Sequence, residues 1–242
     1  MFSVIIPTLQ RSPELWPLVD QCAQHPLVFE VLVINNARET LSWTHDNVRV
    51  LDQHSNIFVN PAWNLGVSEA RAEWVAIIND DVRFKDEALS HAARILRSRH
   101  FGIVAPDRSC FAPGSTHHGV RHRVASFGNY YFGTFMCLRK DDYVRIPEEM
   151  QIWGGDDWLF TQQRKPSAVL IDTPFVTEMS TTTSSPEIAR MRDAEQAICD
   201  QLLLPLYGTR WWHRPVSALA WARRTRHKLT EAISRKISRD RT

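Results

Sequence analysis

The chain has no apolar stretch long enough to cross a bilayer, and its opening, Met1-Phe2-Ser3-Val4-Ile5-Ile6-Pro7, carries no basic leader. Neither a secretory signal nor a membrane-spanning helix is therefore expected. Cysteine is scarce and scattered. Cys22, Cys110, Cys137 and Cys199 form no CxxC pair, which argues against a disulfide framework or a zinc site and fits buried thiols in a reducing cytosol. There is no internal repeat and no low-complexity linker. These absences give the expectation of a cytoplasmic protein whose 242 residues build one sizeable catalytic domain.

Net charge is also low, at +2, but it is unevenly distributed. From Thr209 onward there are ten Lys and Arg against only Glu231 and Asp240, so this segment carries +8 and the rest of the chain −6. The expected division is a domain over 1–204 and a basic amphipathic helical tail over 205–242. Leu229, Ile233 and Ile237 recur at four-residue spacing, while Arg223, Arg224, Arg226, Lys228, Arg235 and Lys236 cover the other faces. With Trp211, Trp212 and Trp221 nearby, residues 211–241 suit an anionic membrane surface, which would make the protein peripheral to the inner face of the membrane. A nucleic-acid phosphate backbone is a second partner, and a helix packed on the body with a solvated basic face is the plain alternative.

Strand-like and helix-like segments alternate through the first half. Phe2–Ile6, Phe29–Ile34, Val48–Leu51 and Trp74–Ile78 read as strands. Helical patterns start at Ser12-Pro13-Glu14, at Asn60-Pro61 and at Ala88. Gly102–Ala105, Thr134–Leu138 and Ala168–Ile171 are further strands, whereas Pro106–Phe132 and Thr177–Ser185 read as loops. A short helix follows Asp141. A helix opens in Trp153-Gly154-Gly155-Asp156-Asp157-Trp158, and another begins at Pro186 with Ile188, Met191, Ala194, Ile198 and Leu202 on one face. This is the pattern of a mostly parallel α/β sheet covered on both faces, a Rossmann-like fold. Ligands of such sheets bind beyond the carboxyl ends of the strands, here Pro7-Thr8, Asn35-Asn36 and Asn79-Asp80-Asp81.

The run Ala76-Ile77-Ile78-Asn79-Asp80-Asp81 carries the most chemistry. Nothing in burying an Ile-rich strand calls for acids at its end, whereas hard oxygen ligands there suit Mg²⁺ or Mn²⁺ and a diphosphate. A helix start is the bland reading, since Asp86-Glu87 opens a helical pattern soon afterwards. Gly155-Asp156-Asp157 likewise reads either as a helix cap or as a pair of catalytic acids. His117-His118, with His122, lie among glycines without a Cys or carboxylate at ligand spacing. They suit an acceptor- or phosphate-contacting loop better than zinc.

From Phe2 to about Leu204 the order of motifs resembles the family-two, GT-A type of glycosyltransferase. Ser3-Val4-Ile5-Ile6-Pro7-Thr8 resembles its opening strand, Glu30–Asn36 its second strand, and Asn56 through Asn64-Leu65-Gly66 and Ala70 its asparagine- and glycine-containing helix. Asn79-Asp80-Asp81 stands where the family carries Asp-x-Asp, and Gly155-Asp156-Asp157-Trp158 where it carries Glu-Asp.

The resemblance implies an inverting transferase that moves a sugar from a nucleotide-sugar, a UDP-sugar in the first instance, to an acceptor hydroxyl. Pro7, Thr8, Asn35, Asn36, Asn64, Asn79 and Asp80 would line the nucleotide-sugar site. Asp81, with Asp80 and Glu178, would hold Mn²⁺ or Mg²⁺. Asp157 would be the general base beside Asp156, and Trp153, Trp158, His117 and His118 would meet the acceptor. That acceptor is a glycan, a lipid-linked glycan or modified DNA. An enzyme glycosylating hydroxymethylated DNA bases is one alternative. A catalytically inactive relative that binds membrane or nucleic acid through its tail is another. Three departures stand out: Asn79 brings no charge, Phe58 sits where a glycine is usual, and Glu178 replaces a histidine ligand.

Overall fold

The computed structural model describes residues 1–112, 121–127, 131–177 and 186–223. The chain begins with β1 (Phe2–Thr8), α1 (Leu15–Gln24), β2 (Val28–Asn35), β3 (Val48–Asp52), α2 (Val59–Glu69) and β4 (Trp74–Ile78). It continues with β5 (Val82–Phe84), α3 (Glu87–Arg97), β6 (Val104–Pro106), β7 (Arg121–Val124), β8 (Phe135–Arg139) and α4 (Gly155–Gln162). The final elements are β9 (Ala168–Ile171), β10 (Phe175–Thr177), α5 (Pro186–Leu203) and a helix over 213–223, here α6.

One sheet runs in the order β3-β2-β1-β4-β8-β6-β9-β7, and β10 pairs with β5 in a small antiparallel ribbon. The four strands β3, β2, β1 and β4 are parallel, so their carboxyl ends share one edge. β8 enters antiparallel between β4 and β6, and β7 closes the far edge antiparallel to β9. The chain moves outward from β1 through β2 to β3 and then returns to β1's other side as β4. The crevice of an open α/β sheet lies at such a reversal, between the ends of β1 and β4.

Strand residues alternate between two cores. Val4, Ile6, Val31, Val33, Ala76 and Ile78 pack under α1 and α3. Ile5, Leu32, Ile34, Val75 and Ile77 pack under α2, α4 and α5 on the other face. Burial on both faces is why these strands read as continuous apolar runs rather than alternating ones. α3 shows the matching pattern, burying Ala88, Leu89, Ala92, Ile95 and Leu96 at helical spacing.

Several boundaries differ from the sequence expectation. α1 starts at Leu15 because the Ser12 hydroxyl accepts the Glu14 N–H in a turn ahead of the helix. β5, β7 and β10 went unread because three or four residues hold too little periodicity, and β7 (Arg-His-Arg-Val) is an exposed edge strand. On α5 the buried residues include Glu195, Cys199 and Leu203, while Ala194 is exposed. The end of the expected loop Thr177–Ser185 and most of the basic tail lie outside the described residues.

The expected division at residue 205 crosses a packed region. Trp212 is fully buried against Phe127 and Phe160, and Val216 joins the same core. The last carbonyls of a helix lack intrahelical partners. At the end of α4, Thr161 O meets His213 Nε2 at 3.1 Å, Gln163 O accepts from Trp212 Nε1 at 3.0 Å and Arg164 O from Trp211 Nε1 at 3.3 Å. The Gly208 N–H donates to His213 Nδ1, so the ring is the neutral Nε2–H tautomer. The start of the tail thus caps α4. Trp212→Ala is expected to cost about 3–5 kcal/mol, seen as a fall in Tm of roughly 6–20 °C in a thermal melt. A shift below about 2 °C would mean that α6 is dispensable to the fold.

Candidate active site

The edge expected to face the nucleotide is built from the ends of β1, β2 and β3. Asn35 is fully buried and uses its whole amide within the protein. Its Nδ2 donates to Asp52 Oδ1 at 2.6 Å and to Glu39 O, while Oδ1 accepts from Gln10 Nε2 and the Ala37 N–H. Expected to face the nucleotide, Asn35 instead braces the loop that leaves β2 and fixes Asp52 and Gln10 beside it. Asn36 differs. It is buried, its N–H is held by Thr8 O, and its Oδ1 has no hydrogen-bond partner among the described residues.

Asp80 is anchored across the crevice between β1 and β4. Thr8 Oγ1 donates to Asp80 Oδ2 at 2.6 Å and itself accepts from the Gln10 N–H at 2.8 Å. Burial pushes the Asp80 carboxyl up to about 6; the Thr8 bond pulls the other way and neighbouring Asp81 raises it further. Two adjacent carboxylates here are costly unless positive charge joins them. Among the described residues, no cluster of three or more His, Cys, Asp or Glu is gathered for a metal. Two acids fit a hard divalent ion that completes its shell with phosphate oxygens and water, and they do not fit a closed zinc site. Glu178, expected as a further ligand, lies outside the described residues.

The second acid pair sits at the start of α4, and one turn joins it to the first. Thr134 O accepts from the Asn79 N–H at 3.0 Å, and one residue earlier the Gly133 N–H donates to the Asp156 carboxylate. The turn Phe132–Thr134 therefore touches the end of β4 on one side and the start of α4 on the other. Asp156 also accepts its own N–H and that of Asp157, as an acid in the first turn of a helix can. Asp157 is left with an open side chain. Desolvation by the surrounding protein, and then the charge of Asp156, raise its carboxyl to about 7, although the residue as a whole is exposed to solvent. The two readings of Gly155-Asp156-Asp157 divide between the residues: Asp156 serves the helix start, and Asp157 is free to act.

The loop ahead of α4 is held rigidly. Gly154 adopts the left-handed region at φ +69°, which favours glycine. A Cβ on Gly155 would come within 2.1 Å of Asn60 Oδ1, so α2 and α4 meet only through glycine there. Asn60 Nδ2 donates to Met150 O and Trp153 O. From the other side, buried Glu195 of α5 accepts the N–H groups of Ile152 and Trp153 at 2.9 and 2.8 Å. Sequence reasoning missed Glu195, since a lone acid in an amphipathic helix reads as solvated. Its signal was an acid one residue before Gln196 on a helix whose apolar face was uneven.

The remaining expected residues fall as follows. Pro7 is buried in β1, and Asn79 lies at the turn contact. Asn64 turns away from the nucleotide edge and joins α2 to 143–146, with Nδ2 donating to Ile146 O and Oδ1 accepting from Tyr143 Oη and the Ile146 N–H. Trp153 is half-exposed over α5, its Nε1 donating to Gln196. Trp158 is partly buried and donates to Arg145 O. His117 and His118 lie outside the described residues. His122 packs beside His91 and Phe101, away from both acid pairs. Phe58, at the position where a glycine is usual, holds a glycine-like backbone at φ +67°, ψ 174° ahead of α2.

The family profile described as "Glycosyl transferase family 2" matches residues 3–150. The chain belongs to glycosyl transferase family 2. The match covers the nucleotide edge and the first acid pair and ends before α4. Solved structures of S. aureus TarS share the GT-A-like fold. The 1–349 fragment superposes with a TM-score of 0.55 at 20% identity, covering 84% of this chain and 69% of that one. The same fragment in complex with UDP-GlcNAc gives 0.58 at 17% identity, covering 85% and 71%. The longer TarS structure gives 0.56 at 18% identity, covering 87% and 44%. No curated protein matches the sequence.

Glu195 makes a specific prediction for this transferase. Glu195→Ala leaves two loop N–H groups unpaired and should cost about 1–3 kcal/mol, lowering Tm by roughly 2–10 °C. Glu195→Gln keeps an acceptor oxygen and should recover most of that loss in the same melt. Equal losses for both variants would contradict the assignment.

Proposed function

We propose that this transferase moves a sugar from a UDP-sugar to an acceptor hydroxyl with inversion, using Asp157 as base. The observation that carries the reading is the turn at 132–134, which sets a strand-end acid pair beside a helix-start acid pair whose second carboxyl is raised and open. TarS binds UDP and UDP-GlcNAc, as its complexes record. That likeness supports the same donor class here.

The Asn36 Oδ1 atom, buried without a partner among the described residues, suits an N–H donor of the nucleotide base. Asp81 would hold the divalent ion, with Asp80 turned by Thr8 toward the same side. When bound, Mg²⁺ or Mn²⁺ supplies positive charge against the negative charge developing on the departing diphosphate. Asp157 accepts the acceptor's hydroxyl proton as the acceptor oxygen bonds to the anomeric carbon. The bond from that carbon to the diphosphate oxygen breaks, and its electron pair leaves with UDP. One displacement from the face opposite the leaving group inverts the anomeric centre. Trp153, exposed beside the base, offers a flat apolar face to an acceptor ring.

With the Asp157 carboxyl raised to about 7 by desolvation and by Asp156, the base would be protonated below that pH and ionised above it. The kcat/KM of sugar transfer should rise with pH through a limb centred near 7, and Asp157→Asn should abolish the limb. The same variant should lower kcat by roughly 10²–10⁴ while leaving UDP binding, read by thermal shift, unchanged. A variant that keeps wild-type turnover removes Asp157 from the chemistry. Chelating divalent ions, or Asp81→Ala, should reduce the stabilisation given by UDP with Mn²⁺. An undiminished shift in both cases would rule out a cation at the strand end.

A further inference from the structure

Ten large apolar residues are exposed among the described residues, and five of them fall in one short segment: Leu204, Tyr207, Trp211, Leu219 and Trp221. α6 explains the clustering. His213, Val216 and Ala220 recur at helical spacing and pack on the body. The opposite face carries Arg214, Pro215, Ser217, Ala218, Leu219, Trp221 and Ala222, all exposed. A surface helix ordinarily turns charged and polar residues outward, and a helix apolar all round is a buried one. Here Arg214 is the one charge on the outer face, and Trp211 and Trp221 are 71% and 66% exposed.

Charge identifies what covers this face. The segment from Thr209 carries +8 while the rest of the chain carries −6, so the apolar face is embedded in the chain's basic region. Exposed Trp and Leu flanked by Arg and Lys form the composition that sinks into the headgroup boundary of an anionic bilayer. A phosphate backbone would draw on the charge but would not bury the exposed apolar surface of Trp211, Leu219 and Trp221. Among the described residues no helix is long and apolar enough to cross a membrane, so contact would be from one side.

The attachment also sets the orientation. Residues 211–213 are bonded to carbonyls at and just beyond the end of α4, whose first turn carries Asp157. The eight residues of α4 span about 12 Å at ~1.5 Å per residue. Tyr207 lies close enough for Asp157 to raise its hydroxyl pKa, after the larger effect of burial. We infer that the face formed by Trp211, Leu219 and Trp221, with the basic residues beyond it, docks the enzyme on an anionic lipid surface with the α4 side of the active site turned toward the bilayer.

The test is sedimentation of the full chain with vesicles of phosphatidylcholine alone and of equal phosphatidylcholine and phosphatidylglycerol. Binding to the anionic vesicles should be at least roughly tenfold tighter, and the triple variant Trp211→Ser, Leu219→Ser, Trp221→Ser should weaken it about tenfold or more. The variant's UDP thermal shift should match wild type, which separates this outcome from misfolding and from failure of the donor reading. Equal affinity for both vesicles, or none, overturns the inference. So does vesicle binding unchanged in the variant. Tight binding to a short DNA duplex without vesicle binding would replace lipid with nucleic acid. A dimer in gel filtration that the variant dissolves, again without vesicle binding, would assign the face to a second copy.

Discussion

Two backbone hydrogen bonds made by one turn organise this molecule. Asn79 N–H binds Thr134 O, and Gly133 N–H binds the Asp156 carboxylate. The first locks the end of β4 to the start of β8, and the second locks that start to α4. Four acids from distant parts of the chain are thereby held around one short turn. Burial first, and then the charge of the neighbouring acid, raises the pKa values of Asp80 and Asp157, and burial raises that of Asp156 against the N–H groups it accepts.

The raised values connect chemistry to stability. A carboxyl whose pKa is higher folded than unfolded binds its proton more tightly in the native state. Stability from such a group is therefore full below its ordinary range and declines as pH rises toward the folded value. For Asp80 that decline runs up to about 6 and for Asp157 up to about 7. The fold is thus loaded against its own site as pH rises toward neutrality. Phe58, in a backbone region that costs of order 1–3 kcal/mol for a residue with a side chain, adds strain beside the same crevice. Buried contacts far from the site, such as Trp212 in the second core, supply the compensation.

Much of this was legible from the sequence, and the reasons are specific. The strands were visible because burial on both faces demands apolar runs, and Asn79-Asp80-Asp81 stood out because burial does not demand acids. The position of Phe58 was legible as a glycine position, and its positive φ gives the cause. What stayed hidden was pairing over long sequence distance. Nothing local distinguishes an asparagine that contacts a ligand from Asn35 or Asn64, whose amides are engaged by the protein itself. Glu195 was invisible for the same reason, because its partners lie 42 and 43 residues away. The tail's first turns were read by their charge and not by Trp212, so the expected boundary cut through packed core.

The direction of β8 carries one more implication. Being antiparallel between β4 and β6, it presents its entrance, rather than its exit, at the ligand-binding edge. The connection from β6 to β8 leaves at Pro106, contributes β7 to the far edge of the sheet, and returns at the turn before β8. Changes in it ahead of the turn at 132–134 leave the pairing of β1 with β2 and β4, and of β2 with β3, untouched. Such an arrangement is modular: one half of the crevice can change its clientele over evolutionary time while the half beneath Thr8 and Asp80 keeps its own.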